Sequence, residues 1–149
     1  GVDDDVAREH INRLLGDERT VMVQPYLEAV DTVGETALLF FNGEYSHAIR
    51  KGPLLARGQG AEYVEGLFVQ EQIDARTPSE AELAVARSVL GAIPGGVDRT
   101  LYARVDLIPG EDGVPQLLEL ELTEPSVFLA HDSGAAARLA QAVAARIPA

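Results

Sequence analysis

The stretch from Leu101 to Leu122 constrains the fold more than any other part of the chain. Two runs, Leu101 to Ile108 and Gln116 to Leu122, are separated by Pro109-Gly110-Glu111-Asp112-Gly113. Both runs alternate apolar and polar residues with a period of two, the mark of a strand with one buried face. Taking Asp112-Gly113 as the centre of a two-residue type I′ turn sets Ile108 opposite Leu117, Asp106 opposite Glu119 and Arg104 opposite Glu121. Leu101, Ala103, Val105 and Leu107 then lie against Leu118, Leu120 and Leu122 as core. The other face gathers three carboxylates and one guanidinium. Like charges directly across a ladder repel, so Asp106 facing Glu119 calls for a cation. Hard oxygen donors with room for water suit Mg²⁺ or Mn²⁺ better than zinc. The plainer alternative is a solvated polar face in which Arg104 offsets part of the repulsion.

The remaining segments place this hairpin in an α+β domain, an antiparallel sheet with flanking helices. Residues Asp5 to Leu15 carry an apolar helical stripe stopped by Gly16. Thr20 to Gln24 reads as a short strand ended by Pro25, followed by a loop from Tyr26 to Val33. Glu35 to Phe41 and Glu44 to Arg50 flank Asn42-Gly43, a strong hairpin signal. Between Lys51 and Gly66 five glycine and proline breakers suggest a mobile loop near a ligand. A helix follows Pro78, with Thr77 as the expected N-cap and Gly91 or Pro94 as its end, and a last helix covers about Ser133 to Arg146. His47 and His131 lack the spacing of a metal pair or catalytic triad and read as packing, capping or surface residues.

A chain of 149 residues with 46% hydrophobic composition is sufficient for one core, so residues 1–149 are expected to form a single domain. With 24 acidic and 12 basic side chains, the net charge of −12 argues against nucleic-acid and anionic membrane partners. Cysteine is absent, which excludes disulfides and thiolate chemistry and fits a cytoplasmic protein. The opening GVDDDVAREH has no signal-peptide character and begins abruptly in helix-like sequence, as a chain lacking an upstream part would.

In order along the chain, VQPYLEAVDTVGETALLFF, SHAIRKG, YARVDLI and LLELELTEPS resemble the C-terminal half of ATP-grasp enzymes. That superfamily includes D-alanine-D-alanine ligase, glutathione synthetase, RimK-like ligases and cycloserine-forming cyclo-ligases. The resemblance implies that Gln24 and the Pro25 carbonyl face the adenine amino group, the Leu27 amide meets a ring nitrogen, and Tyr26 lines the pocket. Asp31 would accept from the ribose hydroxyls, and Arg50 or Lys51 would contact the triphosphate. Asp106, Glu119 and Glu121 match the family's metal ligands, although many members carry asparagine where Glu121 stands. Arg104 would stabilise the transferred phosphoryl group.

The implied reaction joins a small-molecule carboxylate to an amine through an acyl phosphate, using ATP and Mg²⁺ or Mn²⁺. The upstream substrate domain expected of such an enzyme is not in this sequence, so these residues alone are expected to be inactive. A homodimer is a further expectation of the resemblance. A noncatalytic nucleotide-binding or assembly module with the same fold is the rival reading.

Overall fold

The computed structural model describes residues 4–52 and 72–148. Most of the glycine-bearing loop expected between Lys51 and Gly66 lies outside the described residues. Among these residues four α-helices and five strands follow in the order α1 (Asp4–Gly16), α2 (Ala29–Thr32), β1 (Glu35–Phe41), β2 (Glu44–Lys51), β3 (Ile73–Arg76), α3 (Glu80–Gly91), β4 (Tyr102–Pro109), β5 (Pro115–Glu121) and α4 (Ala135–Ala144). The strands form one antiparallel sheet in the order β3-β2-β1-β4-β5. Two hairpins, β1-β2 and β4-β5, are thus joined through β1 and β4, while β3 and β5 form the edges.

β1 sits at the centre because ETALLFF is a nearly unbroken run of apolar and β-branched residues, and all of it beyond Glu35 is buried. Asn42 and Gly43 both adopt positive φ, 49° and 82°, as a type I′ turn requires. One face of the sheet carries Leu38, Phe40, Ala48, Ala103, Val105 and Leu107, packed against Ala86 and Leu90 of α3 and the following Ile93. Ala86 is fully buried, and its small side chain lets the helix approach the sheet. Each such Leu or Phe contributes roughly 1.5–3 kcal/mol relative to exposure. The strand pairing sets Ala37, Leu39 and Ile49 on the opposite face, together with the charged residues considered below.

Several expectations need correction. Thr20 to Gln24 is not a strand. It joins neither sheet edge, and Met22 and Val23 are 79% and 71% exposed, so among the described residues its β-forming side chains have no surface to pair with or pack on. The helix after Pro78 is capped by Ser79, not Thr77. The Ser79 hydroxyl accepts from the Glu82 amide at 3.2 Å, and the Glu82 carboxylate accepts from the Ser79 amide at 2.7 Å, a reciprocal capping box. The short edge strand β3 has no counterpart in the sequence reading. The last helix is shorter than expected at both ends.

The β4-β5 turn also differs. The Gly113 amide donates to the Gly110 carbonyl at 2.9 Å and Gly113 has φ of 77°. The Gly110 amide in turn donates to the Val114 carbonyl at 2.9 Å, closing a three-residue loop in place of the two-residue type I′ turn. Near the turn, Ile108 therefore faces Gln116, and Leu107 faces Leu117. A bulge between Asp106 and Leu107, with Leu118 as the extra residue, then restores the expected pairs Asp106–Glu119 and Arg104–Glu121. Leu117, displaced by this irregularity, is 47% exposed.

Candidate metal and nucleotide site

Strand alternation brings Arg104, Asp106, Glu119, Glu121, Lys51 and Glu35 to one face, because Glu35 pairs with Lys51, Ala37 with Asp106, and Asp106 with Glu119. Carboxylate oxygens of Asp106, Glu119 and Glu121 all lie within 4.8 Å of one another. Asp106 is fully buried, Glu121 is half-buried and Glu119 is exposed, so the cluster opens from the sheet toward solvent.

Two cations hold these acids together. Arg104 Nε donates to Asp106 Oδ1 at 2.9 Å, and its Nη2 donates to Asp106 Oδ2 at 2.9 Å and to Glu121. Glu119 lies 3.8 Å from the same Nη2. Lys51 Nζ donates to Asp106 Oδ2 at 2.5 Å and to Glu35 at 3.4 Å. Burial alone would lower the Arg104 pKa, but the hydrogen bond and charge of Asp106, with Glu121 and Glu119 behind it, raise it and keep the guanidinium charged. Burial raises the Glu121 carboxyl above its usual range; Arg104 opposes this while Glu119 and Asp106 reinforce it. Among the described residues, four carboxylates against two cations leave the cluster short of positive charge. All-oxygen donors with one exposed member fit a hard divalent ion that keeps some of its waters.

Arg50 is not part of this cluster. It pairs with Thr36 and Asp74, points to the opposite face from Lys51, and donates through Nε to the Val33 carbonyl at 2.6 Å. Of the two basic residues expected near a triphosphate, only Lys51 reaches the carboxylates.

Of the residues expected to hold the nucleoside, Tyr26 and Leu27 line a separate groove. Tyr26, Leu27, Glu28 and Ala29 face Pro109, Gly110 and Glu111 across a cavity of about 340 Å³. The Tyr26 hydroxyl donates to Asp31 Oδ2 at 2.5 Å, while Asp31 Oδ1 is buried without a hydrogen-bond partner among the described residues. Asp31 itself does not line the groove, and this oxygen is closed off from solvent. Gln24 and Pro25 are exposed in the preceding irregular segment and do not line the groove. From Pro109 at the groove to Asp106 is three residues along β4, roughly 10 Å at strand rise, a separation that a nucleotide can bridge.

Three further contributors escaped the sequence reading. Glu35 adds a fourth acid, and the parity of β1 opposite Asp106 is the signal that would have found it. The Ser126 carbonyl accepts from Arg104 Nη1 at 3.5 Å, and Arg104 Cζ lies 5.7 Å from the centre of the Phe128 ring. No local pattern marks either residue, since both reach Arg104 only through the path the chain takes after β5.

No family model matches the chain. It is 44% identical over 144 residues to the cycloserine biosynthesis protein DcsG of Streptomyces lavendulae, covering 95% of this chain and 47% of that protein. Its structure superimposes on crystalline D-cycloserine synthetase DcsG with a TM-score of 0.77 at 38% identity, covering 95% of this chain and 48% of the other. D-alanine–D-alanine ligase from Bacillus anthracis, solved in complex with ATP, shares the fold at a TM-score of 0.61 and 16% identity, over 96% of this chain and 46% of the other. The chain thus spans about half the length of these relatives. No helix among the described residues is long and apolar enough to cross a membrane. The five-stranded antiparallel sheet with its flanking helices is therefore the fold of the C-terminal part of ATP-grasp proteins such as these relatives.

Proposed function

We propose that these residues form the nucleotide- and metal-binding portion of a ligase that joins a small carboxylate to an amine at the cost of ATP. The observation that carries this reading is the convergence of Asp106, Glu119 and Glu121 beside Arg104 and Lys51 on one face of β4-β5. The likeness to D-cycloserine synthetase favours a compact substrate bearing both amine and carboxylate.

In the proposed reaction a carboxylate oxygen attacks the γ-phosphorus of ATP and ADP departs. The amine then attacks the acyl carbon and inorganic phosphate leaves. Asp106, Glu119 and Glu121 would hold Mg²⁺ or Mn²⁺, which when bound neutralises charge between adjacent phosphates. Arg104 directs a charged, immobilised guanidinium at the same place, suited to the phosphoryl oxygens and to the acyl phosphate. Lys51, which donates to Asp106 at 2.5 Å, would turn to the phosphate chain when Asp106 takes a metal. Asp31 would accept from a ribose hydroxyl once its carboxylate turns toward the groove, and the groove beside Tyr26 and Leu27 would take the adenine. Gln24 and the Pro25 carbonyl would have to swing toward the groove to reach the base.

Calorimetric titration with ATP and Mg²⁺ tests the assignment. Asp106→Asn and Glu119→Gln should each abolish or strongly weaken Mg-ATP binding. Asp31→Ala should weaken nucleotide binding while leaving binding of Mg²⁺ alone unchanged. Parent-like affinity in both carboxylate variants would refute the metal assignment.

A further inference from the structure

The loop that supports Arg104 is itself held by a buried histidine that the proposed chemistry does not use. His47, on β2, is 4% exposed, and its Nε2 lies 3.0 Å from the Val127 carbonyl oxygen. A carbonyl only accepts, so Nε2 carries the proton. Burial lowers the imidazole pKa, which leaves the ring neutral and Nδ1 an acceptor. The Ser46 hydroxyl lies 2.9 Å from Nδ1, and Arg138 Nε donates to Ser46 Oγ at 2.9 Å, so the serine proton is directed to His47. Arg138 is anchored by Asp132, whose Oδ1 also accepts from the Gly134 amide at 2.8 Å. One directed series of hydrogen bonds therefore runs from the start of α4 through Ser46 and His47 to a single peptide group.

That peptide group precedes a strained residue. Phe128 adopts φ of 45° and ψ of 41°, the left-handed region that a β-carbon disfavours. The Val127 carbonyl is the group that rotates if φ of Phe128 relaxes. The ring of Phe128 lies over Arg104, and Ser126 two residues earlier accepts from the same guanidinium. Rotation at this point would carry both supports away from Arg104.

We propose that His47 is a positioning residue, which by donating from Nε2 to the Val127 carbonyl holds Ser126 and Phe128 against Arg104 and so fixes the guanidinium at the carboxylate cluster. The assignment rests on the proposed role of Arg104 in phosphoryl transfer for its functional meaning, though not for its geometry.

Two substitutions separate hydrogen bonding from packing. His47→Gln keeps an amide donor near the place of Nε2, whereas His47→Phe keeps the ring and loses the donor. Nuclear magnetic resonance of the labelled protein reads the Arg104 Nε–H and the Val127 carbonyl directly. Both resonances should move in His47→Phe and stay near the parent positions in His47→Gln. Mg-ATP affinity should fall about three- to tenfold in the phenylalanine variant, the worth of about one hydrogen bond, and be restored in the glutamine variant. Unmoved Arg104 and Val127 signals in His47→Phe, or equal disturbance in both folded variants, would overturn the proposal. If the parent protein fails to bind Mg-ATP, the nucleotide reading falls, and the two resonances still decide the role of His47.

Discussion

Replacing Asp106 by asparagine keeps the shape of the side chain and removes one charge from the centre of the site. Asp106 is fully buried and the Arg104 side chain is 6% exposed, so solvent can do little to screen the loss. In the parent protein the Asp106 carboxylate receives Nε and Nη2 of Arg104 and the ammonium of Lys51. After substitution one oxygen still accepts, but the new amide group must face at least one of these donors. Arg104 retains Glu121 and, at 3.8 Å, Glu119; Lys51 retains Glu35 at 3.4 Å. These remaining partners place the expected loss at the lower end of the range for breaking a buried ion pair, about 3 kcal/mol. For a domain of this size that corresponds to a fall in Tm of roughly 6–12 °C, and it leaves a folded protein, since domains commonly have about 5–15 kcal/mol in hand. Urea and thermal unfolding read the loss. Mg-ATP at a hundredfold excess over its Kd should stabilise the parent by about 2.7 kcal/mol and the variant not at all. A variant within about 0.5 kcal/mol of the parent would refute the claim that this buried network is tightly coupled.

Three other substitutions probe the frame around the site. Glu82→Gln weakens the capping box of α3: burial would raise the Glu82 carboxyl, but hydrogen bonds from Ser79 and Thr36, with Arg76 nearby, bring it below its unfolded value near 4.5. Its stabilisation is therefore present above pH 4.5 and lost as pH falls through the lower folded value, so the glutamine variant should be about 1–2 kcal/mol less stable at neutral pH and should lose less on acidification in urea titrations. Gly34 has φ of 75°, and a β-carbon there would run into the Lys51 carbonyl, so Gly34→Ala should cost about 2–4 kcal/mol in thermal unfolding. Gly91→Ala, where nothing lies within 4 Å, should cost nothing, and equal effects of the two would defeat the steric reasoning.

What could be read from the sequence was whatever depended on period two and on strong turn residues. Asn42-Gly43 marked its hairpin because only residues tolerant of positive φ fit there. The facing of Asp106 and Glu119 followed from alternation, yet the route to it was partly mistaken. The turn holds three residues instead of two, and the bulge at Leu118 offsets that extra residue before the ladder reaches the carboxylates. β3 escaped because four edge residues, with Ile73 and Arg76 half-buried and the two between exposed, carry no clear alternation. Thr20 to Gln24 shows the opposite failure, since strand-forming residues make no strand without a neighbour to complete the ladder. The groove residues Tyr26 and Leu27 were legible only by resemblance, as nothing in their local pattern forces them toward Pro109.

The choice between Arg50 and Lys51 turns on a feature that no residue pattern announces. From Asn42-Gly43 an uninterrupted hairpin would pair Phe41 with Glu44 and continue in step, bringing Arg50 opposite Glu35 and onto the face of Asp106. The observed ladder begins that way, with Phe40 opposite Tyr45, but then sets Leu39 opposite His47 and leaves Ser46 as an extra residue. From that bulge onward every side chain of β2 changes face. Lys51 takes the place opposite Glu35 and reaches Asp106, while Arg50 turns to the Val33 carbonyl. The same extra residue offers its hydroxyl to the His47 ring. A single inserted residue thus selects a flexible ammonium, able to leave one oxygen for another, over a planar guanidinium at the mouth of the carboxylate cluster. It also provides the hydrogen bond that orients the ring supporting the other cation, Arg104.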